Sequence, residues 1–135
     1  MIKKTDPPKI LIVEDERSIA DLMKIMLLRC GYCVNGVVAS VKEAVEIAIH
    51  TRPDLILMDI KLSGEMDGII AYEQIKKSVD IPAVFVSAFT DEDIIARAQQ
   101  TNPSGYIVKP FKIEQLITGV EKALAGRKSS EDREV

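Results

Sequence analysis

Short apolar runs of strand length alternate along the chain with longer stretches in which apolar residues return every three or four positions. The runs fall at residues 9–13, 32–38, 55–58, 83–87 and 105–108. Most are apolar at successive positions, as a strand needs to be when helices cover both faces of its sheet. Between the first two runs, Ile19, Leu22, Met23, Met26 and Cys30 share a helical face, and Gly31 stops the helix. Ser40 and Glu43 form a capping box that opens a second helix, whose buried face is read as Val41, Ala44, Val45 and Ala48. A third helix is expected over 68–79. Thr90 with Asp93 is read as the cap of a fourth, which carries Ile94, Ile95 and Ala98 and is broken by Asn102, Pro103 and Gly105. Ile113, Leu116, Ile117, Val120 and Leu124 mark a fifth.

Strict alternation of five strands and five helices predicts an α/β fold, a three-layer (βα)5 sandwich around a doubly wound parallel sheet. The expected organisation is an N-terminal arm over 1–8, one domain over 9–126, and a charged tail or linker start over 127–135. At 135 residues and 47% hydrophobic, such a chain builds its core without disulfides or a structural metal. A net charge of −3, 4% aromatic residues and no Trp argue against nucleic acid as a partner. Apolar runs such as Ile10 to Val13 are far shorter than the ~20 residues that cross a bilayer. The basic start of the chain leads into Pro7 and Pro8, not into a leader's apolar stretch, so a cytoplasmic location without membrane contact is expected.

In a doubly wound sheet, ligands bind at the carboxyl ends of the strands. There the chain has Glu14 and Asp15 after the first strand, Asp59 after the third, Ser87 with Ala88 at the fourth, and Lys109 with Pro110 after the fifth. Carboxylates gathered at one edge repel each other unless a cation offsets them. Hard oxygen ligands suit Mg²⁺, or Mn²⁺ in its place. A metal on one side, the Lys109 ammonium on the other and the Ser87 hydroxyl between them make an electrostatic clamp for a phosphoryl group. The nucleophile is then the carboxylate nearest the middle.

These residues identify a resemblance. Glu14-Asp15, Leu-Ile-Leu-Met-Asp59, Ser87-Ala88, and Tyr106 with Lys109-Pro110-Phe111 resemble the receiver domain of two-component response regulators, over roughly residues 9 to 126. The resemblance implies the strand order 2-1-3-4-5, shared with flavodoxin and the chemotaxis receiver CheY. It implies that Asp59 accepts a phosphoryl group from the phosphohistidine of a sensor histidine kinase or a phosphotransfer protein. Asp15, Asp59 and the backbone carbonyl of Lys61 would hold the metal, with Glu14 assisting through water, and Lys109 would pair with the phosphoryl oxygens. Ser87 would swing inward, Tyr106 would follow, and the face made by helix four, strand five and helix five would repack for a downstream protein effector. A cis Lys109-Pro110 bond is also implied. The chain would act as a signalling phosphoacceptor that catalyses only its own phosphorylation and dephosphorylation, as a monomer or a phosphorylation-dependent homodimer.

The segment 60–68, Ile-Lys-Leu-Ser-Gly-Glu-Met-Asp-Gly, is one residue longer than the family's usual form and lacks its proline. Phe89 and Lys61 sit where the family tunes dephosphorylation, and an apolar Phe89 implies slow self-hydrolysis. Taken singly, Glu14 and Asp67 read as solvated loop charges and Tyr106 as core packing. Cys30-Gly31-Tyr32-Cys33 is a CxxC that closes a helix, where the dipole disfavours a thiolate, so both thiols read as buried or half-buried bystanders without a metal. His50 reads as a surface residue. Two other functions share the pattern. A metal-dependent phosphohydrolase with an Asp nucleophile would place a second Asp where Lys61 stands. An FMN-binding flavodoxin would have a Ser, Thr and Gly loop in place of Glu14-Asp15-Glu16. No DNA-binding, cyclase or kinase domain is read after residue 126, so a stand-alone regulator or a receiver cut from a longer protein is expected.

Overall fold

The computed structural model describes residues 6–61 and 67–134, with side chains as far as residue 126. Its elements alternate as β1 (Lys9–Val13), α1 (Arg17–Arg29), β2 (Cys33–Val38), α2 (Val41–Thr51), β3 (Leu55–Met58), α3 (Gly68–Lys76), β4 (Ala83–Ser87), α4 (Glu92–Gln100), β5 (Gly105–Val108) and α5 (Ile113–Glu134). The five strands form one parallel sheet in the order β2-β1-β3-β4-β5.

The pleat of the sheet divides the core in two. Ile10, Ile12, Leu55, Leu57, Val84 and Val86 face α1 and α5, packing with Met23, Leu27, Leu116 and Val120. Leu11, Val13, Ile56, Met58 and Phe85 face the opposite way and meet Ala44, Ala48, Ile69, Ile75 and Ala98 from α2, α3 and α4. Since successive strand residues point to opposite faces, a run apolar at every position fills both layers.

Several boundaries differ from expectation for local reasons. Tyr32 lies outside β2 because its N–H donates to the Leu27 carbonyl at 3.0 Å, closing the end of α1, with Gly31 at φ +90° making the turn. The buried stripe of α1 is Ala20, Met23 and Leu27, while Leu22 is 45% exposed. That helix is apolar around most of its girth, so spacing alone did not select the face. Cys30 is exposed and Cys33 half-buried, both as free thiols. His50 is exposed, as expected.

The Ser40 cap is present, its Oγ accepting from Glu43 N–H at 3.3 Å, while the Glu43 carboxylate reaches Ala39 N–H and the Ser40 hydroxyl. On α4 the cap is Asp91, not Thr90, with Oδ1 accepting from Asp93 N–H at 2.8 Å. A carboxylate at the positive end of a helix outcompetes a neighbouring hydroxyl. Helix α3 ends at Lys76, short of residue 79. Helix α5 runs on to Glu134, through the stretch read as a tail. Residues 62–66 of the long segment after Asp59 lie outside the described residues, as do 1–5 of the N-terminal arm.

Candidate functional site

The sheet fixes the backbone of the site one step beyond its strands. Glu14 N–H donates to the Val38 carbonyl, Asp59 N–H to Val13 and Lys109 N–H to Ser87, each at 2.9 Å. The ends of β1, β3 and β5 therefore present an acid, an acid and a base at the carboxyl edge, with β4, which ends in Ser87, between the last two. The Lys109–Pro110 bond is cis.

Lys109 Nζ donates to Glu14 Oε1 at 2.6 Å and to Asp59 Oδ2 at 3.2 Å. The three side chains are 10%, 1% and 8% exposed, so this is a buried ion triad. The other Glu14 oxygen, Oε2, accepts from Glu16 N–H at 3.1 Å. Read singly, Glu14 was expected to be a solvated loop charge. It is instead buried, because Lys109, 95 positions along the chain, folds over it.

Burial first, and then the Glu14 charge beside it, push the Asp59 carboxyl up to about 7, although Lys109 pulls the other way. Burial alone would lower Lys109, but its bond to Glu14 and the charges of Asp59 and Glu14 outweigh that and raise it. The triad thus carries more formal negative charge than its one ammonium neutralises.

Asp15 is exposed, and its carboxylate lies with those of Glu14 and Asp59 so that one oxygen from each falls within 4.8 Å of the others. An open pocket of about 370 Å³ above them is lined by Asp15, Asp59, Lys61, Ser87, Phe89 and Lys109. Ser87 is 1% exposed, and its Oγ accepts from Phe89 N–H at 3.1 Å. The half-buried Tyr106 donates its hydroxyl to the Phe89 carbonyl at 2.9 Å. The predicted site residues are therefore gathered at one sheet edge, with Tyr106 one step back, tied to the same turn as Ser87.

Asp67 is another residue whose expected exposure was wrong. It is buried, caps α3 through Ile69 and Ile70 N–H, and pairs with Arg97 of α4 at 3.3 Å. The Asp67-Gly68 pair before an apolar stretch is a helix-start signal, so the cap was readable, whereas the partner 30 positions away was not.

Comparison with known proteins agrees with this geometry. The family model described as "Response regulator receiver domain" matches residues 10–121. The transcriptional regulatory protein PdtaR of Mycobacterium tuberculosis is 38% identical over 119 residues, which are 88% of this chain and 58% of that protein. The phyllosphere-induced regulator PhyR of Methylorubrum extorquens is 32% identical over 127 residues, 93% of this chain and 47% of that protein. The chain thus spans about half the length of these curated relatives. Among solved structures, the signal receiver domain of a modulated diguanylate cyclase from Desulfovibrio desulfuricans superposes with a TM-score of 0.85 at 36% identity, covering 93% of this chain and 99% of that one. A CheY-like receiver domain protein from Methanospirillum hungatei shares the fold, with a TM-score of 0.86 at 24% identity over 93% of this chain and 99% of that one. The chain belongs to the receiver domain family of two-component response regulators.

Proposed function

We propose that Asp59 is the phosphoacceptor of this receiver, taking a phosphoryl group from the phosphohistidine of a sensor histidine kinase or a phosphotransfer protein. The observation that carries this reading is the Lys109 ammonium bridging two buried carboxylates at the carboxyl edge of the sheet. An Asp59 oxygen attacks phosphorus, the P–O bond forms as the P–N bond breaks, and the imidazole nitrogen keeps the electron pair. Lys109 then exchanges a carboxylate partner for phosphoryl oxygens. Ser87, already at the pocket wall, donates its hydroxyl to the phosphoryl group, and Tyr106 follows from its place beside the Phe89 carbonyl.

Three carboxylate oxygens within 4.8 Å are a donor set suited to a hard divalent cation, Mg²⁺ or Mn²⁺. Asp15, Asp59 and the Lys61 carbonyl would hold it, with Glu14 assisting through water. A bound cation of this kind neutralises charge on the phosphoryl oxygens. Phe89 lines the pocket without a group to orient water, which supports slow self-hydrolysis. The readout is the face of α4, β5 and α5, presented to a downstream protein in the cytoplasm, by a monomer or by a homodimer formed on phosphorylation.

Incubation with Mg²⁺ and acetyl phosphate or phosphoramidate tests the reading, with intact mass as the readout. The chain should gain one phosphoryl group, and Asp59→Asn should gain none. An unmodified parent chain defeats the proposal. For the lifetime of the phosphoryl group, Phe89→Glu should speed its loss, and an unchanged rate removes Phe89 from that role.

A further inference from the structure

One ion pair joins the Asp67 cap at the start of α3 to Arg97 of α4. Asp67 Oδ1 accepts from the N–H groups of Ile69 and Ile70, at 3.1 and 3.4 Å, and Oδ2 accepts from the Arg97 guanidinium at 3.3 Å. The Asp67 side chain is 12% exposed and that of Arg97 51%. The next residue, Gly68, donates its N–H to the Ile60 carbonyl at 2.7 Å. A Cβ placed on Gly68 would lie 1.9 Å from the Asp59 carbonyl oxygen, closer than any atom tolerates. The first turn of α3 is therefore pressed against the Asp59 backbone with no slack between them. Helix α4, by contrast, buries only Ala98 fully, so apolar packing does little to set where it rests.

We propose that the Arg97–Asp67 pair couples Asp59 to α4, holding the helix in its resting position and reaching Asp59 through the Asp67 cap and Gly68. This rests on Asp59 being the phosphoacceptor. Arg97 and Asp67 are positioning residues that touch no phosphoryl oxygen. Loading Asp59 draws Ser87 inward and pulls, through residues 88–91, on the first turn of α4, and the ion pair resists that pull. Coupling between two sites is reciprocal, so weakening the pair eases the loading of Asp59.

Beryllofluoride, which mimics a phosphoryl group on a carboxylate, is titrated with Mg²⁺ into the full chain and into Arg97→Gln, Asp67→Asn, the double variant and Arg97→Lys. Asn at position 67 keeps an oxygen for the cap while losing the charge. Each single variant should bind about threefold more tightly, a modest effect suited to a half-exposed pair. The double variant should gain no more than either single one, and Arg97→Lys should stay near the parent. Without the mimic, amide exchange over 92–101 should quicken in Arg97→Gln and Asp67→Asn.

Unchanged affinity in both single variants overturns the coupling even if exchange quickens, since a merely structural surface pair gives that result. Weaker binding overturns it too, and additive gains of about ninefold in the double variant show two separate effects. A parent chain that binds no mimic defeats the phosphoacceptor reading itself, and the coupling with it.

Discussion

Helices α3 and α4 are each nine residues long, and each opens on an Asp whose carboxylate accepts from the two N–H groups two and three positions on. Their burial differs sharply. Gly68, Ile69, Ala71, Tyr72 and Ile75 of α3 are buried, against Ala98 alone in α4. The α3 cap is itself buried and the α4 cap exposed. At its far end α4 is held by a charged group again, Lys76 of α3 donating to the Thr101 carbonyl. One helix is part of the core and the other leans on it, which is the difference expected between a scaffold and an element whose position carries a signal.

The contrast is easiest to break with core truncations. Ile75→Ala should cost about 3 kcal/mol in urea unfolding and Ile94→Ala, at a half-buried site, about 1 kcal/mol. Equal costs would mean that α4 is as much a part of the core as α3.

Next in size is the charge beneath α3. The metal-free protein should become less stable as pH rises through about 7, because Asp59 holds its proton in the fold far above the 3.8 of an ordinary Asp. The sign follows from the raised value. The stabilisation is fully present below about pH 4 and lost as the folded group ionises. Asp59→Asn should therefore stabilise the chain at pH 8 by about 2 kcal/mol, allowing for solvent screening, and by little at pH 4. A variant no more stable at pH 8 would remove the charge excess from the site.

The caps give a smaller difference. Asp67→Ala should cost about 2 kcal/mol and Asp91→Ala about 1 kcal/mol, because only the first leaves buried N–H groups and Arg97 without their partner. Smallest is a difference in tyrosine titration. Tyr72 of α3, its hydroxyl donating to the Ile81 carbonyl at 2.9 Å, is pushed up to about 12 by burial and then by Asp80. Tyr106, beside the turn that leads to α4, is raised as well, by burial first, but is far less enclosed than Tyr72. Absorbance should show Tyr106 ionising before Tyr72, and the reverse order would place the tighter packing on the α4 side.

The strands were legible to within one residue because most of their runs are apolar at successive positions, a signal that helices covering both faces enforce. The edge strand β2, half-buried along most of its length, is the one whose start moved. The α1 stripe was less legible, since Leu22, Ile25 and Leu28 are apolar yet exposed, and periodicity cannot choose among faces that are all apolar. At the site, residue types at strand ends sufficed to gather Glu14, Asp15, Asp59, Ser87 and Lys109. What spacing could not supply was pairing across the chain. Glu14 and Asp67 looked like surface charges because Lys109 and Arg97, which make their burial tolerable, come near them only after folding.

The Lys109 bridge also fixes an electroneutrality condition for the pocket. Four carboxylates, Glu14, Asp15, Glu16 and Asp59, against the two ammoniums of Lys61 and Lys109 leave a formal surplus of two negative charges. One divalent ion closes that sum and one monovalent ion does not, so selection between them follows from valence before ionic radius is considered. A phosphoryl group on Asp59, as proposed, would replace its single charge with about two and reopen the deficit by one. The loaded pocket would then be short of positive charge, and the hydroxyl and N–H groups around Ser87 are the dipoles within reach to make up the difference.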